Sequence, residues 1–330
     1  MIRMIGLCKY CPCALAFLLG YALKSFNIQS EKSFLLEGQL ANAEVELETV
    51  PCLLILIMTA PANSRVRDVI RKTWLSVSQK KHSFRALFVI GKEDLDLTEA
   101  REMETENRIH EDLLILPVVD SYETLTDKVL ESIVFVQKHH NFDFLLKCDD
   151  DSFVDIVSVL AELQGGGYFG KSHEEPSLSL YWGIFAGHNP VMTTGNWADP
   201  KYKLCDRYIP YALGGGYVLG RALVDFIANN ANMLELFFSE DVSVGTWLGG
   251  TTAMRRHDTR FDTEWISRGC SNMYLVTHKQ SVKDMEVKWD RLVKSGTICE
   301  EEETKRMLSY NYDWSKPPSM CCYRNDWRVP

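Results

Sequence analysis

The chain has no excess of positive charge. Lysine and arginine number 36 against 45 aspartates and glutamates, a formal net charge of −9 over 330 residues. A surface with this bias repels polyanions. It argues against nucleic acid as a partner and requires any anionic ligand to be met by a local basic group. Internal repeats, low-complexity tracts and long blocks of one charge are also missing, which excludes solenoids, propellers and disordered interaction tails. No Cys/His quartet stands at zinc-site spacing, and no Ser–His or Cys–His nucleophile pair is evident. What remains is ordinary: 46% hydrophobic and 25% charged residues, the composition of a globular protein with a sizeable core.

Long apolar runs are scarce too. Ile5–Leu23 is interrupted only by Lys9 and weakened by Pro12, and it lies near the lower limit of about 17 residues for a bilayer span. A cleaved signal peptide competes, but Gly20–Phe26 offers a poor small-x-small cleavage site. The preferred reading is a signal anchor. Residues 1–24 then form a cytoplasmic tail and membrane segment, with Arg3 and Lys9 weakly favouring an inside N-terminus. Residues 25–50, acidic around Glu44–Glu48, read as a stem, and 51–330 as one folded domain. Cys52 and Cys148 border apolar strands and read as buried thiols. Cys205, Cys270, Cys299, Cys321 and Cys322 lie in polar segments; in an oxidising lumen they imply about two disulfides with one cysteine left over.

Apolar runs and helical periodicity alternate from Leu53 onward. Leu53–Met58, Arg85–Ile90 and Leu113–Val118 read as strands, and Ser64–Trp74, Thr98–Asp112 and Thr124–His140 as helices. This order predicts an α/β, Rossmann-like domain with a mostly parallel sheet. The central stretch is Phe142–Leu163. A short apolar strand, Phe142–Leu146, runs into Asp149, Asp150 and Asp151, and Phe153, Ile156, Val157, Leu160 and Leu163 then recur at helical spacing. The three acids therefore sit at the carboxyl edge of the sheet, where open α/β folds bind ligands. Ionised together, they need a cation or basic partners. The competing account is that Asp151 or Ser152 caps the helix and the other acids are solvated. Arg67 and Arg71, one turn apart on the first helix, are placed to meet a phosphate; otherwise they form a solvated helix face.

Beyond Gln164 aromatic residues multiply: Tyr181, Trp182, Phe185, Trp197, Tyr202, then Tyr208–Tyr217 with three consecutive glycines. Aromatic rings among Gly and Asn suit sugar binding, although most of these rings will be core. The glycines permit close backbone approach or unusual dihedrals. Glu240 and Asp241 fall in the first turn of a helix capped by Ser239, where the helix dipole alone would account for two acids. His278 ends a short strand, a position more often structural than ligating.

Taken in order, Arg67–Trp74 (RDVIRKTW), DSYETLTDK, LLKCDDDSFV, YIPYALGGGYVLG, SEDVSVG and VTHK resemble the inverting β-1,3-glycosyltransferases of glycosyltransferase family 31, over roughly residues 51–330. The resemblance implies a GT-A-like domain that transfers a sugar from a nucleotide donor. It implies that Asp151, His278 and Asp149 hold Mn²⁺, with Mg²⁺ as the alternative. Thr59, Ala60, Pro61, Arg67, Arg71, Asp149 and Asp150 would line the nucleotide, and Asp241 would be the base. Arg260–Ser281 and Tyr310–Cys322 are most similar to the branch that uses UDP-galactose to extend the galactosyl-xylosyl acceptor of the proteoglycan linkage region. That implies a Golgi type II membrane protein with a lumenal catalytic domain. Rival readings are another β-1,3-galactosyl- or N-acetylglucosaminyltransferase, a lumenal chaperone that has lost catalysis, and a metal-dependent phosphohydrolase. A chaperone would be expected to lack the acids, and a phosphohydrolase would want further carboxylates at other strand ends.

Overall fold

The computed structural model describes residues 53–77, 83–165, 178–305 and 310–323. The anchor and stem readings, and Cys52, lie outside these residues. Among the described residues no helix is long and apolar enough to cross a membrane.

The described elements are, in order, β1 (Leu53–Met58), α1 (Ser64–Lys72), β2 (Phe84–Gly91), α2 (Leu97–His110), β3 (Leu113–Leu116), α3 (Leu125–His139), β4 (Phe144–Asp149), β5 (Phe153–Val154) and α4 (Ile156–Leu163). The second half contributes β6 (Leu180–Gly183), β7 (Phe185–Ala186), β8 (Tyr211–Ala212), β9 (Gly216–Gly220), α5 (Arg221–Asn230), α6 (Glu240–Trp247), β10 (Met254–His257), β11 (Phe261–Asp262), β12 (Gly269–Cys270), β13 (Val276–Thr277) and α7 (Val282–Ser295).

Seven strands form the main sheet in the order β10-β6-β9-β4-β1-β2-β3. Strand β9 alone runs antiparallel to its neighbours, so the sheet is mixed but mostly parallel. Strand β1 is buried along its whole length, as a central parallel strand covered on both faces must be. Its residues alternate between two cores. Leu53, Ile55 and Ile57 pack with residues of α1, α4 and α7, and Leu54, Leu56 and Met58 with residues of α3, α5 and α6.

Phe153 departs from the helical reading. It belongs to β5, which pairs antiparallel with β13, Thr277 opposite Phe153. Neither Asp151 nor Ser152 caps α4; Asp155 does, accepting from the Ser158 amide. Helices α5 and α7 were not read from the sequence. Helix α7 carries a capping box, with Ser281 and Asp284 bonding each other's backbone, and ends at Gly296 in the left-handed region, φ 70°. Both are recognisable signals. Cys270–Cys299 and Cys321–Cys322 are disulfides, while Cys148 is a buried free thiol and Cys205 an exposed one.

Candidate active site

The acids gather where β4 ends. The Asp150 amide donates to the Met58 carbonyl, holding the turn against β1. Just beyond, the pairing of β5 with β13 brings the chain after Thr277 alongside Asp151. Lys279 takes a left-handed conformation, φ 61°, unusual for a side-chain-bearing residue. The chain turns there, and the Gln280 amide reaches the Asp151 carbonyl at 2.8 Å. Residues far apart in sequence thus meet: His278 Nε2 lies 2.9 Å from Asp151 Oδ1 and 3.4 Å from Asp149 Oδ2. Lys279 Nζ flanks the outer oxygen of Asp151 at 3.1 Å.

These three side chains fit a divalent cation. One ligand atom from each lies within 4.8 Å of the others. His278 Nε2 is buried without a well-directed hydrogen bond, a donor atom aimed at the carboxylates. Two carboxylates and one imidazole suit Mn²⁺, with Mg²⁺ the harder alternative. Burial disfavours the imidazolium, but Asp149 and Asp151 outweigh it and push His278 up to about 9; a cation among the three would displace that proton. For Asp149, Lys147 and His278 overcome the desolvation and hold the carboxyl well below its usual range.

The third acid points elsewhere. Asp150 Oδ2 accepts from Thr59 Oγ1 at 2.6 Å and Asn63 Nδ2 at 2.8 Å, tying the three-acid turn to the Thr59–Pro61 loop after β1. Lys128, from the DSYETLTDK motif, donates to the Thr59 carbonyl and to both oxygens of Asp120. Arg67 and Arg71 are a correction. Arg67 is 1% exposed and donates to the Ala60 and Pro61 carbonyls and to Glu106. Arg71 is clamped by Glu106, Asp112 and Asp68. Neither guanidinium is presented to a phosphate: Arg67 braces the loop from within, and Arg71 is taken up by carboxylates.

Lys147 is the residue that sequence reasoning missed. It sits 1% exposed inside β4, and its ammonium donates to Asp149 at 2.9 Å, to the Gly214 carbonyl at 2.8 Å and to Glu240. Burial alone would discharge it, but the two carboxylates outweigh that and keep it charged. Glu240 is buried as well and accepts from Tyr217 Oη at 3.0 Å. Burial pushes its carboxyl up to about 7 against the pull of Lys147. Glu240 therefore anchors α6 from inside and does not face an acceptor. Lys147→Met is expected to lower stability in urea by about 3–5 kcal/mol, because it strands buried carboxylates. Adding Glu240→Gln should recover part of that loss in a double-mutant cycle. Additive effects would mean that the pair is not coupled.

Asp241 stands beside this pair. Its Oδ2 accepts from the Gly214 amide at 2.9 Å and its Oδ1 from the Val242 amide at 2.8 Å. Burial raises its carboxyl above the ordinary range, offset by the charge of Lys147 and the two amides. Ser239 makes no side-chain cap to α6. The three glycines serve close approach. A Cβ at Gly214 would come within 2.7 Å of Glu240, at Gly215 within 2.6 Å of His278, and at Gly216 within 2.8 Å of Val276. A run of three is needed because each faces a different part of the site.

The sequence profile of the galactosyltransferase family matches residues 65–259. The chain is 43% identical over 279 residues to a mouse protein named β-1,3-galactosyltransferase 6, spanning 83% of each. It is 28% identical over 251 residues to Arabidopsis thaliana hydroxyproline O-galactosyltransferase GALT2, covering 74% of this chain and 35% of that one. It is 29% identical over 201 residues to zebrafish (Danio rerio) UDP-GalNAc:β-1,3-N-acetylgalactosaminyltransferase 2, covering 61% and 39%. The chain thus spans most of the mouse relative and little more than a third of the other two. The profile match and this extent of identity to the mouse relative agree, and the chain belongs to the galactosyltransferase family.

Proposed function

We propose that this protein is an inverting, metal-dependent β-1,3-galactosyltransferase that moves galactose from UDP-galactose to a galactosyl-xylosyl acceptor of the proteoglycan linkage region. The observation that carries the reading is one arrangement: Lys147 donates to Asp149 of the Asp149–Asp151–His278 cluster and to the Gly214 carbonyl, and the Gly214 amide donates to Asp241, so the cluster and the carboxylate are held by one shared set of groups. The branch within the family rests on the identity to the mouse relative.

Asp149, Asp151 and His278 would hold the ion, which when bound neutralises charge on the donor diphosphate as the glycosyl bond breaks. The Thr59–Pro61 loop and Asp150 form the nucleotide side, held in place by Lys128, Arg67 and Asn63. Asp241 takes the proton from the acceptor hydroxyl as that oxygen attacks C1 of galactose and UDP leaves from the opposite face. One carboxylate at the acceptor suffices for inversion, as in the base of an inverting glycosidase. Two amides fix the orientation of Asp241, one on each oxygen, which leaves a lone pair on each free for the hydroxyl. The raised pKa makes it a better proton acceptor than an ordinary carboxylate. The setting implied is the Golgi lumen behind an N-terminal anchor.

The test is to offer the secreted lumenal protein UDP-galactose, UDP-N-acetylglucosamine and UDP-N-acetylgalactosamine with a β-galactosyl-1,4-xyloside, with and without Mn²⁺. Galactose transfer to O3, dependent on Mn²⁺ and with the β configuration by NMR, is expected. Transfer of an N-acetylhexosamine instead, or full activity in EDTA, overturns the reading.

A further inference from the structure

Two half-exposed aromatic rings stand near Asp241 with no role in the chemistry above. Trp197 is 47% exposed and Tyr122 52% exposed, and Trp197 Nε1 donates to Tyr122 Oη at 2.9 Å. Tyr122 meets Phe238 edge to face, 5.6 Å between ring centres, and Phe238 lies three residues before Asp241. The Trp197 loop is fastened to that same segment: buried Asp199 accepts from the Phe238 amide at 2.8 Å. Thr126 fastens the Tyr122 side, donating to the Phe237 carbonyl. Two loops and the segment that carries the base are therefore locked to each other by buried hydrogen bonds, while the rings they carry face solvent. The two rings are joined to each other and held in fixed orientation, and such a contiguous patch, unlike a singly exposed ring, marks a ligand surface.

We propose that Trp197 and Tyr122 form the shelf on which the acceptor's terminal β-galactose stacks. A pyranose has an apolar C–H face and a rim of hydroxyls. In galactose the axial O4 gathers C3–H, C4–H and C5–H on one face, so a ring laid on an indole turns its O3 edge sideways, toward the carboxylate at the end of the shelf. Tyr122 packs against Phe238, in the segment that leads directly into α6 and Asp241, which puts the shelf on the base side of the site. The proposal rests on the transferase reading and specifies its acceptor subsite. Trp197 and Tyr122 touch the acceptor and position it; they exchange no proton with it.

The experiment measures steady-state kinetics of wild type, Trp197→Ala, Trp197→Phe and Tyr122→Phe with β-galactosyl-1,4-xyloside, alongside hydrolysis of UDP-galactose by water. In Trp197→Ala the acceptor KM should rise about three- to tenfold, the size of one lost aromatic contact. The donor KM and the hydrolysis rate should stay within about twofold. Trp197→Phe and Tyr122→Phe should fall in between, and they decide the matter if Trp197→Ala does not fold. An unchanged acceptor KM, or a rise in donor KM alone, overturns the shelf and leaves the transferase reading standing. A wild type that transfers to no β-galactoside overturns both.

Discussion

Asp151→Ala is expected to cut galactose transfer by about three orders of magnitude, the scale of several kcal/mol of charge stabilisation, and to leave a folded protein. The carboxylate is about one-third exposed and ends a turn whose backbone is held by other groups, the Asp150 amide on Met58 and the Gln280 amide on the Asp151 carbonyl. Relief of repulsion from Asp149 offsets part of the lost pairing with His278 and Lys279, so the melting temperature should fall only modestly. A second readout is independent of turnover. Mn²⁺ at a hundred times its dissociation constant should stabilise the wild type by about 2.7 kcal/mol, and this shift should vanish in Asp151→Ala. A variant that keeps its turnover, or its Mn²⁺-induced shift, shows that the cluster is not the metal site.

The sheet was legible in the sequence because its strands are buried on both faces. Leu53–Met58 and Phe142–Leu146 announce themselves as short apolar runs, the second lying mostly within β4, Phe144–Asp149, and the three acids stand out just beyond it. Long-range pairing was not legible. Phe153 has helical spacing to Ile156 and Leu160, yet its backbone is claimed by β13, more than a hundred residues later. The same pairing delivers His278, a lone histidine that only the family pattern singled out. Arg67 and Arg71 misled for a related reason. Their partners, Glu106 and Asp112, sit on and just after a helix whose charges look solvated in sequence, and only the packing of α2 against α1 reveals the clamp. Lys147 was hidden by its surroundings. A lysine in an apolar strand gives no local sign of which way it points, and Glu240 lies 93 positions away. The triple glycine was legible as a place of close backbone approach, but not its neighbours, which are Glu240, His278 and Val276.

Asp241→Asn is the other large effect. Asparagine has the same size, and its amide oxygen can still accept from the Gly214 amide, as Asp241 Oδ2 does at 2.9 Å. What it loses is the capacity to take a proton, together with the bond that Oδ1 accepts from the Val242 amide, because an amide nitrogen stands in for that oxygen. Turnover should therefore fall by about 10²–10⁴, the range of general base catalysis. The donor KM should barely move, since the proposed nucleotide side is the Thr59–Pro61 loop with Asp150, at the ends of β1 and β4. The pH profile gives the decisive signature. The base must be ionised to act, so wild-type activity falls as pH drops through the Asp241 pKa, which burial has raised above the usual aspartate range. At saturating Mn²⁺ the part of the acid limb set by this carboxyl should disappear in Asp241→Asn, leaving only the competition between proton and metal at His278. The rival account gives Asp241 only the task of stabilising the start of α6, about 0.5–2 kcal/mol. Asparagine keeps one of the two amide bonds, so under the rival account turnover and pH profile stay close to wild type and only the melting temperature drops, by about the worth of one hydrogen bond. A hundredfold loss of turnover with no larger drop in melting temperature separates the two, because the loss of one helix-start bond cannot by itself remove catalysis.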